Sequence, residues 1–195
     1  MAGDGLPNYL QYWGVKTRPF STSVDPTAYF PAATAEEALA RMDFVVEQGR
    51  TAGVLVGASG VGKTFLLDVF AYQQRAKGAQ VVRLNLRGVW PEDFTPLLAD
   101  AVAVDVADGS GWRLWGAAVD RIREWLFCRV PVVFLIDDLG AARPGVEDYL
   151  VRLARVRGGD FARLHFIFAG RGPELVRQCR SLLDLVDLRI ELEPW

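Results

Sequence analysis

Eight consecutive residues constrain this chain more than any other stretch: Gly57-Ala58-Ser59-Gly60-Val61-Gly62-Lys63-Thr64. They follow the apolar run "GVLV" and lead into a helical pattern from Lys63 to Ala76. An interior glycine costs a helix about 1 kcal/mol relative to alanine, so three of them in so short a span argue for a loop with a task. The spacing G-x-x-x-x-G-K-[ST], set between a strand and a helix, lets the backbone curl with its N–H groups turned inward. That curl makes a concave seat for phosphate oxygens. The positive end of the following helix adds to the attraction. A chain built around such a loop must supply a buried strand before it and a helix after it, which is an α/β arrangement.

The rest of the sequence supplies both. Five β-rich runs, "GVLVG" (53–57), "QVVRLNL" (80–86), "PVVFLIDD" (131–138), "LHFIFAG" (164–170) and "LRIELE" (188–193), alternate with helical patterns. The first, third and fourth are almost continuously apolar, as strands covered on both faces are. The last alternates, with Leu188, Ile190 and Leu192 on one side, which suits an edge strand. A helix in "TAEEALARMDFVVEQG" is expected to open on a capping box of Thr34 and Glu37 and to stop at Gly49. Thr95 and Pro96 read as the N-cap and first residue of another. Further helices are expected in 112–127 and 145–157, the latter with Val146, Tyr149, Leu150, Leu153 and Val156 on one face. A last one covers about 173–183, and residues 104–112 read as a mobile loop. Strands alternating with helices give a parallel sheet with helices on both faces.

The chemistry gathers at strand ends. Residues Gly57 to Thr64 form the nucleotide cradle, in which Lys63 reaches the β- and γ-phosphates and the Thr64 hydroxyl ligates Mg²⁺. Asp137, at the end of "VVFLIDD", is the second metal-side group, holding Mg²⁺ through water. Asp138 is placed to orient or deprotonate the attacking water. Arg171, just beyond the fourth strand, is a candidate phosphate contact. His165, the single histidine, reads as a packed or paired residue within that strand.

With 22 basic and 24 acidic residues the net charge is −2, which gives no overall pull toward nucleic acid or an anionic surface. Cys128 and Cys179 lack metal-type spacing and read as two buried thiols in a reducing compartment. The start has neither the basic nor the apolar region of a signal peptide. No apolar run approaches the ~20 residues of a membrane-spanning helix, so a cytoplasmic setting is expected.

The residues before the loop resemble the N-terminal signature of the ExeA-like ATPases, AAA+ proteins that include the A component of the general secretion pathway and pilus-biogenesis ATPases. The matching residues are Tyr12-Trp13-Gly14-Val15, Pro19-Phe20, Asp25-Pro26, Tyr29-Phe30 and Glu37-Ala38-Leu39, joined by "LHFIFAGRGPEL" and "LRIELEPW". The resemblance implies a P-loop NTPase core with a five-stranded parallel sheet in the order 5-1-4-3-2. It implies an N-terminal segment, 1–33, carrying an adenine pocket near Tyr12 to Phe20. It further implies oligomers with ATP at their interfaces, and the core is expected over 34–195 with the family's helical lid absent. Four positions depart from the family: Asp138 stands where glutamate is usual, Arg171 where glutamine is typical, and Asp184-Leu185 where a Gln-Arg pair occurs. Arg177, Arg180 or Arg189 are the remaining candidates for a trans-acting arginine.

The expectation is therefore a Mg²⁺-dependent ATPase core, binding ATP and ADP and acting on a protein partner or a second copy of itself, with a place in secretion or pilus assembly. The alternatives are a nucleotide-dependent switch that does not hydrolyse and a DNA-associated ATPase of the transposition type. The stretch "RLARVRGGDFAR" (152–163), with Arg152, Arg155, Arg157 and Arg163, is the best local basis for the last. It is less favoured, because no helix carries a continuous basic face.

Overall fold

The computed structural model describes residues 12–14, 25–26, 29–105, 110–156 and 164–193. Of the sequence features above, Val15, Pro19 and Phe20 lie outside these residues, as do 106–109 of the predicted loop and 157–163 of the basic stretch.

The elements run α1 (Ala33–Glu47), β1 (Ala52–Val56), α2 (Lys63–Ala76), β2 (Gln80–Asn85), α3 (Pro91–Ala101), α4 (Gly111–Phe127) and β3 (Val132–Asp137). A 3-10 turn (Leu139–Ala141), α5 (Val146–Ala154), β4 (Leu164–Gly170), α6 (Gly172–Gln178), α7 (Arg180–Leu183) and β5 (Leu188–Glu191) follow. All four strand pairings are parallel and the order is β2-β3-β4-β1-β5, the order that the resemblance implied. From β1 the chain jumps to the far edge at β2, then returns through β3 and β4 and over β1 to β5. Right-handed crossovers put the connection made in one direction on one face and those made in the other direction on the opposite face. Accordingly α1 and α2 cover one face, while the helices from α3 to α7 cover the other.

Strand alternation divides the core in the same way. Val132, Phe134 and Ile136 of β3 face one layer, and Val133 and Leu135 face the other. Phe134, Phe166 and Phe168 stack at 5.1 and 5.7 Å between ring centroids, all essentially inaccessible. Because β3 ends on an odd-numbered residue, Asp137 emerges on the α2 face. β5 pairs with β1 alone and buries Ile190, as the alternating pattern predicted for an edge strand.

Several local expectations are corrected. α1 starts from Ala32, without a side-chain cap, so Thr34 lies inside the helix. Glu37 turns forward to Arg41 at 2.6 Å instead of back toward Thr34. α3 starts at Pro91 with Trp90 as N-cap, leaving Thr95 and Pro96 in its interior. The earlier start is needed to bury Phe94 and Leu98, four apart, on one face. Pro96 is exposed, so the backbone bond it cannot make leaves only the exposed Glu92 carbonyl open to water. The final helical stretch breaks at Cys179 (φ −129°, ψ 34°), which lets Leu175, Cys179 and Leu182 all reach the core. His165 is buried and its Nδ1 lies 2.6 Å from the Arg50 carbonyl, a packed and paired residue as expected.

The two thiols differ, contrary to the sequence reading. Cys179 is buried, whereas Cys128 terminates α4 and is exposed beside the exposed Phe127. Burial pushes the Cys179 thiol up to about 11, with Glu147 adding to it. Since the thiolate is the reactive form, a disulfide reagent should label Cys128 alone in the native protein. Cys179 should react only after denaturant is added, and a thiol count by absorbance checks this.

Candidate functional site

The loop after β1 owes its path to two glycine positions. A Cβ on Gly57 would lie 2.7 Å from the Leu192 carbonyl oxygen and 2.9 Å from Val61 Cγ1, so no side chain fits there. Gly62, the residue before α2, has φ +97° and faces open space. Between them Val61 tucks into the α1/α2 core layer and anchors the loop from below. With the loop so placed, the N-terminus of α2 opens onto the carboxyl ends of β1, β3 and β4, where ligands sit in open parallel sheets.

Lys63 opens α2 and folds back over the loop, its Nζ donating to Gly57 O at 2.9 Å and Ala58 O at 2.7 Å. Burial pulls its ammonium below the ordinary lysine range, and the Asp137 carboxylate opposes that shift. The Thr64 hydroxyl donates to Asp137 Oδ2 at 2.8 Å, and Asp137 Oδ1 accepts the Asp138 N–H at 2.9 Å. Asp137 is 1% exposed.

Asp138 takes a left-handed conformation (φ 52°, ψ 35°). Arg87 grips its carboxylate with both arms, Nε to Oδ2 at 3.0 Å and NH2 to Oδ1 at 3.2 Å, and Asn85 Nδ2 adds a contact at 3.4 Å. That fork holds the Asp138 carboxyl below its usual range. Arg171 sits at the N-cap of α6 and pairs with Glu174 at 3.2 Å. Glu174 packs so closely that a Cβ on Gly140 would come within 2.8 Å of its own Cβ.

These groups share one cleft of about 410 Å³, bounded by Lys63, Thr64, Arg87, Asp137, Asp138 and Arg171 among others. Lys63, Thr64, Asp137, Asp138 and Arg171, all singled out from the sequence, therefore line it, whereas the candidate trans-acting arginines Arg177, Arg180 and Arg189 do not. Ala58 borders an adjoining recess, while Val61 serves the core. Sequence reading missed Arg83, Asn85, Arg87 and Glu174. The first three belong to β2 or its exit, and scanning the carboxyl end of each parallel strand would have flagged Asn85 and Arg87.

A second recess of about 260 Å³ adjoins the loop, lined mainly by Tyr29, Phe30, Thr34, Phe65 and Leu192. Tyr29 and Phe65 are tilted ring neighbours in its lining, 6.2 Å between centroids, and the Tyr29 hydroxyl donates to Glu36 at 2.9 Å. Tyr12 and Trp13, expected near such a pocket, contact each other and are largely exposed.

The donor set suits Mg²⁺. The hydroxyl and carboxylate oxygens of Thr64 and Asp137 converge, and among the described residues no cluster of three His, Cys, Asp or Glu offers an all-protein metal cage. Magnesium characteristically uses one or two carboxylates and completes its shell with phosphate and water. In the basic stretch, the less favoured basis for DNA binding, both described arginines are exposed, Arg152 lying over the Trp115 ring at 4.6 Å and Arg155 closing α5. Among the described residues no helix is long and apolar enough to cross a membrane.

A family model described as an AAA domain matches residues 46–179. General secretion pathway protein A of Aeromonas hydrophila is 25% identical over 179 residues, spanning 90% of this chain but 32% of that protein. This agrees with the resemblance read from the sequence. Among solved structures, Cdc6p from Pyrobaculum aerophilum aligns with a TM-score of 0.65 at 21% identity, over 91% of this chain and 49% of that one. The ORC1 protein of Aeropyrum pernix, in complex with DNA, gives 0.62 at 19% identity, over 91% and 48%. At such identities these structures speak for the fold.

Proposed function

Because the chain belongs to the AAA domain family, we propose that it binds ATP with Mg²⁺ at the cleft above α2 and hydrolyses it. One observation carries this reading: the glycine loop, Lys63 and the Thr64–Asp137 pair converge on a single cleft. Lys63 then exchanges the Gly57 and Ala58 carbonyls for phosphate oxygens, trading ion–dipole bonds for bonds between opposite charges. Thr64 and Asp137 hold the metal, and Mg²⁺, when bound, neutralises charge developing on the phosphates. Arg171 contacts the terminal phosphate after leaving Glu174. Asp138 orients a water toward that phosphate. The recess lined by Tyr29, Phe30 and Phe65 takes the base, since its apolar walls adjoin the loop. The name of General secretion pathway protein A supports a place in secretion, and action on a protein partner, through an oligomer, belongs to the same proposal.

The Arg87 fork favours a second reading, a switch that binds nucleotide and hydrolyses it slowly. A carboxylate held by two guanidinium bonds is a weak base. Calorimetry with Mg-ATP, paired with single-turnover phosphate release, tests both. The first reading expects binding and steady release; binding with release slower than minutes favours the switch. Arg87→Ala should raise the release rate several-fold. It should also move the acid limb of its pH profile to higher pH, because loss of the cation lets the Asp138 pKa rise toward the ordinary carboxylate value. Absence of Mg-ATP binding at millimolar concentration would refute both.

A further inference from the structure

β2 carries a charged residue where its neighbours are apolar. Its even positions, Val82 and Leu84, enter the core layer on the α3 side, so Val81, Arg83 and Asn85 face α2. Asn85 pairs in register with Asp137, which sets Arg83 two residues back along the same face. A half-buried arginine in a strand needs charged partners to offset its desolvation, and Arg83 has two. Its NH1 ion-pairs with Asp68, and its NH2 lies 3.5 Å from Asp137 Oδ2. NH2 also donates to the Thr64 carbonyl at 3.3 Å. Asp68 lies one helical turn beyond Thr64 on α2. A single guanidinium is thus divided between a carboxylate of the metal site and one outside it. The oxygen it approaches, Asp137 Oδ2, is the same one that accepts the Thr64 hydroxyl.

We infer that Arg83 and Asp68 together set the Mg²⁺ affinity of this site. Arg83 is a resident cation whose charge opposes the incoming ion at Asp137. Asp68 holds the guanidinium back and so limits that opposition. Both are positioning residues, acting through Asp137. The inference rests on the reading that Thr64 and Asp137 hold the nucleotide's Mg²⁺.

Opposite signs make the test specific. Mg²⁺ is titrated into the full chain with saturating ADP carrying a fluorescent label, and nucleotide affinity in EDTA is measured for each variant as its reference. Arg83→Gln should tighten the apparent Mg²⁺ Kd, and Asp68→Asn, which frees the guanidinium to close on Asp137, should weaken it, each by about three- to tenfold. The double variant, which restores the local charge balance, should return near the wild-type value. A structural role alone would weaken binding in both single variants. Shifts of the same sign, or no shift while the wild type still responds to Mg²⁺, would overturn the inference. Should Arg83→Gln fail to fold, Asp68→Asn must still weaken Mg²⁺ binding or the inference fails. A wild type that takes up ADP with no response to Mg²⁺ would remove the underlying reading instead.

Discussion

Lys63→Ala should yield a folded protein that loses Mg-ATP affinity by roughly a hundredfold or more, at about 1.5–3 kcal/mol for each of two charged hydrogen bonds. Phosphate release should fall to background. The effect is confined to ligand binding, because among the described residues Nζ bonds the Gly57 and Ala58 carbonyls alone, which border an open recess where water can replace it. The melting temperature should consequently stay within a few degrees of wild type. Calorimetry, phosphate release and a circular-dichroism melt on the same preparation separate these quantities. Unchanged nucleotide affinity in a folded Lys63→Ala protein would mean that the glycine loop is not the nucleotide site.

Asp137→Asn should abolish the response of nucleotide binding to Mg²⁺ and slow phosphate release on the order of a thousandfold, in line with losing a metal that neutralises transferring phosphate. Here the fold suffers as well. Asp137 is inaccessible, and both its oxygens are acceptors, one for the Thr64 hydroxyl and one for the Asp138 N–H. An asparagine keeping its oxygen on the Asp138 N–H turns its NH₂ to Thr64 Oγ1, which must reverse from donor to acceptor, and Arg83 loses a charged neighbour, so the loss is about 1–3 kcal/mol. Comparing ADP affinity in Mg²⁺ and in EDTA, together with urea unfolding, reads both effects. Retained Mg²⁺ dependence would exclude Asp137 as the metal's carboxylate.

What the sequence made legible was whatever depends on neighbours along the chain. β4 was read to the residue, Leu164–Gly170, because an apolar run bounded by turns admits few alternatives. α2 was likewise read from Lys63 to Ala76. The α3 start was missed because Thr95-Pro96 imitates a cap locally, whereas burial of Phe94 decides the register. Arg87 and Arg83 were missed for a different reason. Arg87 meets Asp138 51 positions away, and only the adjacency of β2 and β3 in the sheet brings them together. Cys128 went unrecognised as exposed because exposure at a helix end depends on where neighbouring elements stop, which composition does not record.

One contact ties the outermost strand to the nucleotide cradle. Gly57 has no clearance from the Leu192 carbonyl, and the Leu192 N–H donates to Val56 O at 2.8 Å. The first turn of the cradle cannot swing outward unless the rim of the sheet yields, and a push on that rim bears on the cradle directly. The same rim residue borders an open recess with Gly57 and Ala58, so a nucleotide seated as proposed would have its phosphates one residue from the sheet edge.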